Sequence, residues 1–490
     1  MPEIVIRNLT FSYADSLSPV FENLNLNIDT SWKTALVGDN GKGKTTLLKL
    51  ICGRLKADGK VFANTQFNLF PFYIADENAT AYELFAQAAP DCEEWEILRE
   101  VNLIGLDTEV LFRPFKTLSG GEKTKFCLAA TFAGKGFALI DEPTDHLDAF
   151  GRAQLCEYLS RKDGFIVVSH DKDFLDVCCD HVLAIEGFSV TLTRGNYSVY
   201  AQEKAKREQA DKTRKQTLEA ERTRLKKAAA RTAEWGASAE KEKFNSGETH
   251  AVVDRGFLGA KAAKLQKRAS AVSARRAHAE EEIKGLLKNF TEDEELKIFP
   301  EKFFRTRLIT LSNLKIKTPS KILFDGFNLT VDIGERIALA GKNGCGKSTL
   351  LKLICGEYNS FQGETDIPRR LKISYVEQEC KMRGTLSQYA QSFQIDEGYY
   401  KAVLSKFGFD KKDFTRDISL FSAGQKKKAA LARSLCERAN LYVWDEPLNY
   451  LDIRSRERIE RAVKASGATL IFVEHDLSFV NSVATKIIKL

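Results

Sequence analysis

The stretch GDNGKGKTT at residues 38–46 recurs as GKNGCGKST at residues 341–349, and the reading of this pair decides the fold. Both fit the pattern GxxxxGK[ST]. In such a loop the glycines let backbone N–H groups wrap nucleotide phosphates, and the helix that follows presents its positive end to them. The ATP-binding candidates are therefore Gly38, Asn40, Gly41, Gly43, Lys44, Thr45 and Thr46 in copy one. Their counterparts in copy two are Gly341, Asn343, Gly344, Gly346, Lys347, Ser348 and Thr349. Lys44 and Lys347 are expected to reach the terminal phosphates, and Thr45 and Ser348 to offer a hydroxyl to Mg²⁺.

The repeat extends well beyond the loops. Lys44 and Lys347 lie 303 positions apart, as do Ser119 of LSGGE and Ser422 of FSAGQ, while Asp141 and Asp445 are separated by 304 and His170 and His475 by 305. Four motifs at nearly one offset mean a duplicated ATPase domain. In each copy a near-continuous apolar run, Phe137–Ile140 or Leu441–Trp444, ends in two acids, as expected of a strand covered on both faces. The first acids, Asp141 and Asp445, would hold the metal; the second, Glu142 and Glu446, would polarise the attacking water. His170 and His475, each closing an apolar strand as S-H-D or E-H-D, would sense the terminal phosphate. The implied cofactors are ATP and Mg²⁺.

At 490 residues and 43% hydrophobic content the chain has room for two or three domains with real cores. No apolar run approaches the roughly 18 residues that span a bilayer, and Arg7 interrupts the N-terminal strand pattern, so neither membrane nor signal peptide is expected. The ten cysteines show no CxxC or metal-ligand spacing and read as reduced thiols of a cytoplasmic protein. Net charge is +7, but residues 201–290 hold 22 Lys+Arg against 13 Asp+Glu, which leaves the rest of the chain at −2. The basic excess sits in the segment joining the two copies.

That segment divides the chain into a first ATPase domain over 1–197, a basic linker over 198–303 and a second ATPase domain over 304–490. Tyr197 to Trp235 lacks Gly and Pro and is dominated by helix formers. Gly236, Gly247, Gly256 and Gly259 mark a turn with its tip near 236–257. On the return, Leu258, Leu265, Val272, Ala279 and Leu286 fall seven apart and form a heptad seam. The prediction is an α/β chain with two P-loop ATPase domains joined by a long antiparallel α-helical hairpin. Such a hairpin has the charge for RNA phosphates and the reach to probe a cleft; a solvated spacer is the plainer alternative. Trp235, Lys241, Lys243, Phe244, Arg255, Phe257 and Lys261 are the candidates for RNA contact, the aromatics by stacking and the cations by meeting phosphates.

LSGGE and FSAGQ resemble the signature motif of ATP-binding-cassette (ABC) ATPases, in which two copies sandwich two ATP molecules head to tail. The resemblance implies a site I built from Lys44, Asp141, Glu142 and His170 with Ser422 and Gly424 of the other copy. Site II would combine Lys347, Ser348, Asp445, Glu446 and His475 with Ser119, Gly120 and Gly121. The whole chain further resembles the ABC-F family through DEPTDHLD at 141–148, GNYSVY at 195–200 and the charged linker. Members of that family act on ribosomes rather than in membranes. RGFLGAKAAKLQKR at 255–268 and WDEPLNYLD at 444–452 resemble its antibiotic-resistance members, which dislodge lincosamides, pleuromutilins and streptogramin A from the peptidyl-transferase centre. The implied partner is the bacterial 70S ribosome with its rRNA and tRNA, met by a monomer with an intramolecular ATPase sandwich.

The family pattern is unevenly kept. An aromatic that stacks on adenine is present as Tyr13, but the aligned position in copy two is Thr318. A glutamine that reaches Mg²⁺ is present as Gln378, but copy one places Phe72 there. The second signature carries Ala423 where glycine is usual. Site II is therefore expected to hydrolyse faster. Lys44 to Ser119 and Lys347 to Ser422 each span 75 positions, so no inserted arm is expected in copy one, and with fifteen residues after His475 no C-terminal nucleic-acid module is expected. Three rivals stand: a housekeeping translation factor clearing stalled ribosomes, a transporter ATPase subunit, and a DNA-repair or chromosome-structuring ATPase.

Overall fold

The computed structural model describes residues 3–13, 19–145, 147–187, 189–245, 295–317, 321–342, 344–378, 380 and 382–490. They fall into two units, one within Met1–Tyr200 and Glu295–Leu490, which holds both ATPase copies, and one within Ala201–Glu294, of which residues 201–245 are described.

Copy one opens with β1 (Glu3–Phe11) and β2 (Phe21–Asp29), whose alternating buried and exposed residues make strands with one wet face. β3 (Lys33–Gly38) runs into the first Gly-rich loop and α1 (Lys44–Ile51), and β4 (Asp58–Phe62) returns to the far edge of β1. β5 (Phe67–Phe70) leads to a helical group, α2 (Ala81–Ala88), α3 (Glu94–Leu103) and α4 (Gly120–Ala133). Then follow β6 (Phe137–Asp141), α5 (Ala149–Ser160), β7 (Phe165–Val168), α6 (Lys172–Cys178), and the hairpin β8 (His181–Glu186) and β9 (Ser189–Arg194). The second sheet has the order β5-β6-β7-β3-β8-β9 and is parallel except for β9. Leu36, Leu139 and Ile166 of this sheet, Ile4, Ile6 and Ile28 of the antiparallel one, and Leu47 and Leu48 of α1 share one core.

Helix α7 (Tyr197–Asn245) follows as a single run of 49 residues, about 70 Å at 1.5 Å per residue. It passes through Gly236, so the turn expected from that residue does not begin there. One glycine in a helix interior costs only about 1 kcal/mol, and the good helix formers on either side outweigh it. Trp235, Lys241, Lys243 and Phe244 accordingly lie on the backbone of α7. Gly247, Arg255, Phe257, Lys261 and the heptad seam of the return arm lie outside the described residues.

Copy two begins earlier than residue 304. Leu296 and Ile298 are buried in its core, the Lys297 N–H donates to Tyr399 Oη at 2.8 Å, and β10 (Phe299–Pro300) pairs with a short strand from the far side of the copy. The boundary expected at 304 places 295–303 in the linker; tertiary contacts assign this stretch to the second copy. β11 (Arg307–Lys317), β12 (Ile322–Asp332), β13 (Arg336–Ala340), α8 (Lys347–Ile354), β14 (Gln362–Asp366) and β15 (Ile373–Val376) repeat the opening of copy one. α9 (Leu386–Ser392), α10 (Glu397–Lys406) and α11 (Ala423–Cys436) form the helical group. β16 (Arg438–Ala439), which receives β10, precedes β17 (Leu441–Asp445), α12 (Ile453–Ser466), β18 (Leu470–Val473), α13 (Leu477–Val483) and β19 (Lys486–Lys489). The parallel sheet runs β15-β17-β18-β13-β19.

This topology explains why motifs scattered over 130 residues meet. In both sheets the strand before the Gly-rich loop sits beside the strand that precedes the histidine, and that strand sits beside the one ending in two acids. All are parallel, so the loops leaving their carboxyl ends converge on one crevice, the usual place for a ligand in an open α/β sheet.

Candidate functional site

Each phosphate loop is wound tightly enough to exclude side chains where it turns into its helix. Gly43 caps α1 at φ 93° and Gly346 caps α8 at φ 107°, in the left-handed region where glycine is at home. A Cβ on Gly43 would stand 2.5 Å from Val20 Cγ1, and one on Gly346 would stand 3.0 Å from Phe324 Cζ. Lys44 and Lys347 are buried, and each folds back on its own loop, with Nζ donating at 2.7 Å to the carbonyls of Gly38 and Gly341 respectively. These are the positions from which the two ammonium groups could turn to a phosphate.

The acids beyond β6 and β17 are placed by backbone strain. Glu142 and Glu446 have φ of 51° and 49°, a left-handed conformation that non-glycine residues adopt at a cost and that clusters at functional sites. It turns each glutamate away from the strand direction and toward the histidine loop. His170 Nε2 lies 3.1 Å from Glu142 Oε1, and His475 Nε2 lies 3.5 Å from Glu446 Oε1. The Asp after each histidine is a scaffold residue that sequence reasoning missed. Asp171 and Asp476 cap α6 and α13 and hold Arg152 and Arg456 at 2.8 and 3.2 Å. A helix-capping Asp directly after the motif histidine was the available signal.

Electrostatically the two glutamates differ. Burial, reinforced by Asp145, pushes the Glu142 carboxyl up to about 8. For Glu446 burial also raises the value, but the hydrogen bond and charge of His475, the Lys427 ammonium and Gln378 outweigh it and leave a net depression. Glu446 further accepts from Asn449 Nδ2 at 2.9 Å and Gln378 Nε2 at 3.3 Å. Burial holds His170 well below its ordinary value, aided by the Lys44, Arg456 and Lys428 cations.

The signature motifs begin helices. Ser119 and Ser422 are the N-caps of α4 and α11, each in a reciprocal capping box, Ser119 with Glu122 and Ser422 with Gln425. The final Glu or Gln of each signature thus fixes the helix start that carries Gly120 and Gly121, or Ala423 and Gly424. The extra Cβ of Ala423 is exposed, whereas Gly424 has a packing reason: a Cβ there would meet Tyr450 Cβ and Cγ at 3.0 Å.

The copies face each other head to tail. Ser119, Gly120 and Gly121 of copy one and Gly346, Lys347, Ser348, Gln378, Glu446 and His475 of copy two line one cleft of about 980 Å³. This is the composition expected of site II, and its volume suits a nucleotide. At site I the loop of copy one is bridged directly by the segment after Glu446. The Asn40 N–H donates to Asp452 Oδ2 at 3.1 Å, and Asn40 Nδ2 donates to the Tyr450 carbonyl at 2.7 Å. His170 Nε2 lies 3.1 Å from Asn40 Oδ1. Asp452 and Tyr450 were not singled out from sequence, since nothing local marks a residue that works on the opposite copy. Asn343, the partner of Asn40 in the repeat, lies outside the described residues.

Whether Mg²⁺ fits can be judged from the buried acids. Asp445 is fully buried and, among the described residues, neither carboxylate oxygen has a close hydrogen-bond partner, an expense that a cation would offset. The Ser348 hydroxyl is the group that favours its charge. With Ser348 and the Gln378 amide oxygen it offers an all-oxygen set of the kind a hard divalent cation prefers. In copy one Asp141 accepts from the Thr45 hydroxyl at 2.6 Å, and Phe72, which follows β5, brings no donor. Thr45 and Asp141, and Ser348, Asp445 and Gln378, would therefore hold the ion, which when bound neutralises charge on the phosphate oxygens. Tyr13 Oη lies 2.8 Å from Thr46 Oγ1 with its ring edge-on to Phe11, and the side chain is half exposed at the mouth of site I. Thr318 lies outside the described residues.

A family model described as ABC transporter matches residues 21–145 and 324–449, just over half of the chain. The chain therefore belongs to the ABC transporter family of ATPases, and its tandem plan is that of the ABC-F branch. ABC transporter F family member 2 of Arabidopsis thaliana is 29% identical over 97% of this chain and 76% of its own length. Ribosome protection protein VmlR of Bacillus subtilis (strain 168) is 28% identical over 98% of this chain and 85% of its own. Among solved structures, the archaeal ribosome recycling factor aABCE1 superposes with a TM-score of 0.63 at 20% identity, covering 98% of this chain and 87% of that one, a likeness of fold. Among the described residues no helix is long and apolar enough to cross a membrane.

Proposed function

We propose that this ATPase is a cytoplasmic ribosome factor that closes on two ATP molecules, binds the bacterial 70S ribosome in that state and leaves after hydrolysis. The residues of sites I and II act as assigned above: Lys44 and Lys347 on phosphate, Glu142 and Glu446 on water, His170 and His475 on the terminal phosphate. The observation that carries the reading is the shared cleft, which is lined both by Ser119–Gly121 of copy one and by Lys347–Ser348 of copy two. A nucleotide between them would bind both copies at once and stabilise the closed form by its own affinity. The ribosome enters through the relative named a ribosome protection protein, which matches along almost the whole chain, and through the basic segment 201–290. In this reading the linker reaches toward the peptidyl-transferase centre, with Trp235, Lys241, Lys243, Phe244, Arg255, Phe257 and Lys261 as contact candidates, and drug is displaced there.

A Glu142→Gln/Glu446→Gln variant should retain ATP and co-migrate with bacterial ribosomes through a sucrose gradient only when ATP is present. Retained ATP without co-migration would overturn the ribosome reading and bring the transporter subunit forward. Housekeeping action on stalled ribosomes is the second reading, to which the same two ATP sites and basic linker are equally suited. Expression in a susceptible bacterium separates the two: drug displacement raises inhibitory concentrations of peptidyl-transferase drugs, and housekeeping leaves them unchanged.

A further inference from the structure

Lys427, near the start of α11, is almost fully buried at 3% exposure. A buried ammonium persists where its protons find acceptors. Those of Lys427 go to three main-chain carbonyls: Glu377, Gln378 at 3.4 Å, and Asp445. Glu377 and Gln378 leave the end of β15, and Asp445 closes β17. The ammonium therefore pins together the two segments that carry the metal and water residues of site II.

The start of the same helix is tied to site I. Gly424 packs against Tyr450 so closely that a Cβ would stand 3.0 Å from it, and the Tyr450 carbonyl accepts from Asn40 in the phosphate loop of copy one. Gly424 and Lys427 are three residues apart on one helix, about 5 Å of rise. A movement of the site I loop transmitted through Tyr450 thus reaches the site II backbone through one rigid turn. Copy one has no lysine at the matching position. The position 303 residues earlier is Thr124, whose hydroxyl cannot span the gap that a lysine's four methylenes bridge.

We infer that Lys427 is a positioning residue that makes turnover at site II depend on the nucleotide state of site I, a dependence that copy one does not return. Binding coupling between two sites must be mutual, but turnover coupling need not be, so hydrolysis is where the asymmetry shows. The inference rests on the reading of both clefts as ATP sites.

The test uses the full chain. Site II turnover is measured with site I loaded but inactive (Glu142→Gln) and with site I unable to hold ATP (Lys44→Ala). The loaded form should be at least about fivefold faster. Lys427→Met keeps the length of the side chain but no donor, and should bring that ratio close to one. Lys427→Gln, which retains an amide donor, should recover part of it. Equilibrium binding of a fluorescent ATP analogue and thermal melting are followed in parallel, and both should change little in Lys427→Gln. A ratio near one in the parent, or a ratio that survives Lys427→Met, overturns the inference. So does an equal loss of ratio and melting temperature in Lys427→Met and Lys427→Gln, which marks a structural role. Failure of the parent to bind the analogue at all would instead overturn the ATP-site reading.

Discussion

Site I and site II are assembled from the same motif positions, yet they differ at the groups that would touch metal, water and base. Site II keeps Gln378 beside Glu446, a glutamate held ionised by His475, Lys427 and Gln378, and a buried Asp445 with open lone pairs. Site I puts Phe72 where the amide should be and a carboxyl pushed up to about 8 where the base should be. Its loop is bridged through Asn40 to Tyr450 and Asp452 of the opposite copy. Only at the adenine end does site I hold the advantage, with Tyr13. Duplication preserved the frame, and divergence left the amide beside the metal position and the depressed glutamate at site II.

The comparison is most exposed at the two glutamates. Glu446→Gln should lower steady-state ATP hydrolysis by about 10²-fold, the usual worth of a positioned base, while Glu142→Gln should cost less than about threefold. A larger loss from the Glu142 change would reverse the assignment of the faster site. Next in size is the metal end. Gln378→Ala should cut hydrolysis roughly tenfold and raise the Mg²⁺ concentration needed for half the maximal rate. Phe72→Gln should move site I in the opposite direction, most visibly in a Glu446→Gln background.

The raised value of Glu142 gives a pH signature. A carboxyl with a pKa of about 8 is largely protonated at neutral pH and becomes a base only as pH rises through that value. The residual activity of Glu446→Gln should therefore climb between pH 7 and 9, whereas Glu142→Gln, which leaves only the ionised Glu446, should be flatter over that range. Equal slopes would remove the electrostatic distinction between the sites. The smallest effect concerns the base. Tyr13→Ala should weaken ATP at site I by about 1 kcal/mol, roughly a fivefold change, with site II unaffected in an equilibrium titration.

Much of this was legible in the chain. The loops at 38–46 and 341–349, the acid pairs and the histidines each obey a local pattern, because the chemistry they share needs fixed residue types close together in sequence. The substitutions Phe72 and Ala423 could be read in the same way, once two copies could be aligned on one offset. Two expectations failed for lack of a local signal. Gly236 looked like a helix end, but one glycine cannot stop a run of strong helix formers. Residues 295–303 looked like linker, but Leu296, Ile298 and β10 dock on copy two.

The sequence by itself determined which residues handle phosphate, metal and water, because those demands are met within a few positions of one strand end. Tertiary structure alone decided what crosses between copies. Asn40 meets Tyr450 and Asp452 over a separation of more than 400 residues, and Lys427 meets Gln378 and Asp445 only because three elements pack around it. A buried ammonium and a half-spent asparagine carry no pattern of their own; their meaning comes from the carbonyls that folding brings to them.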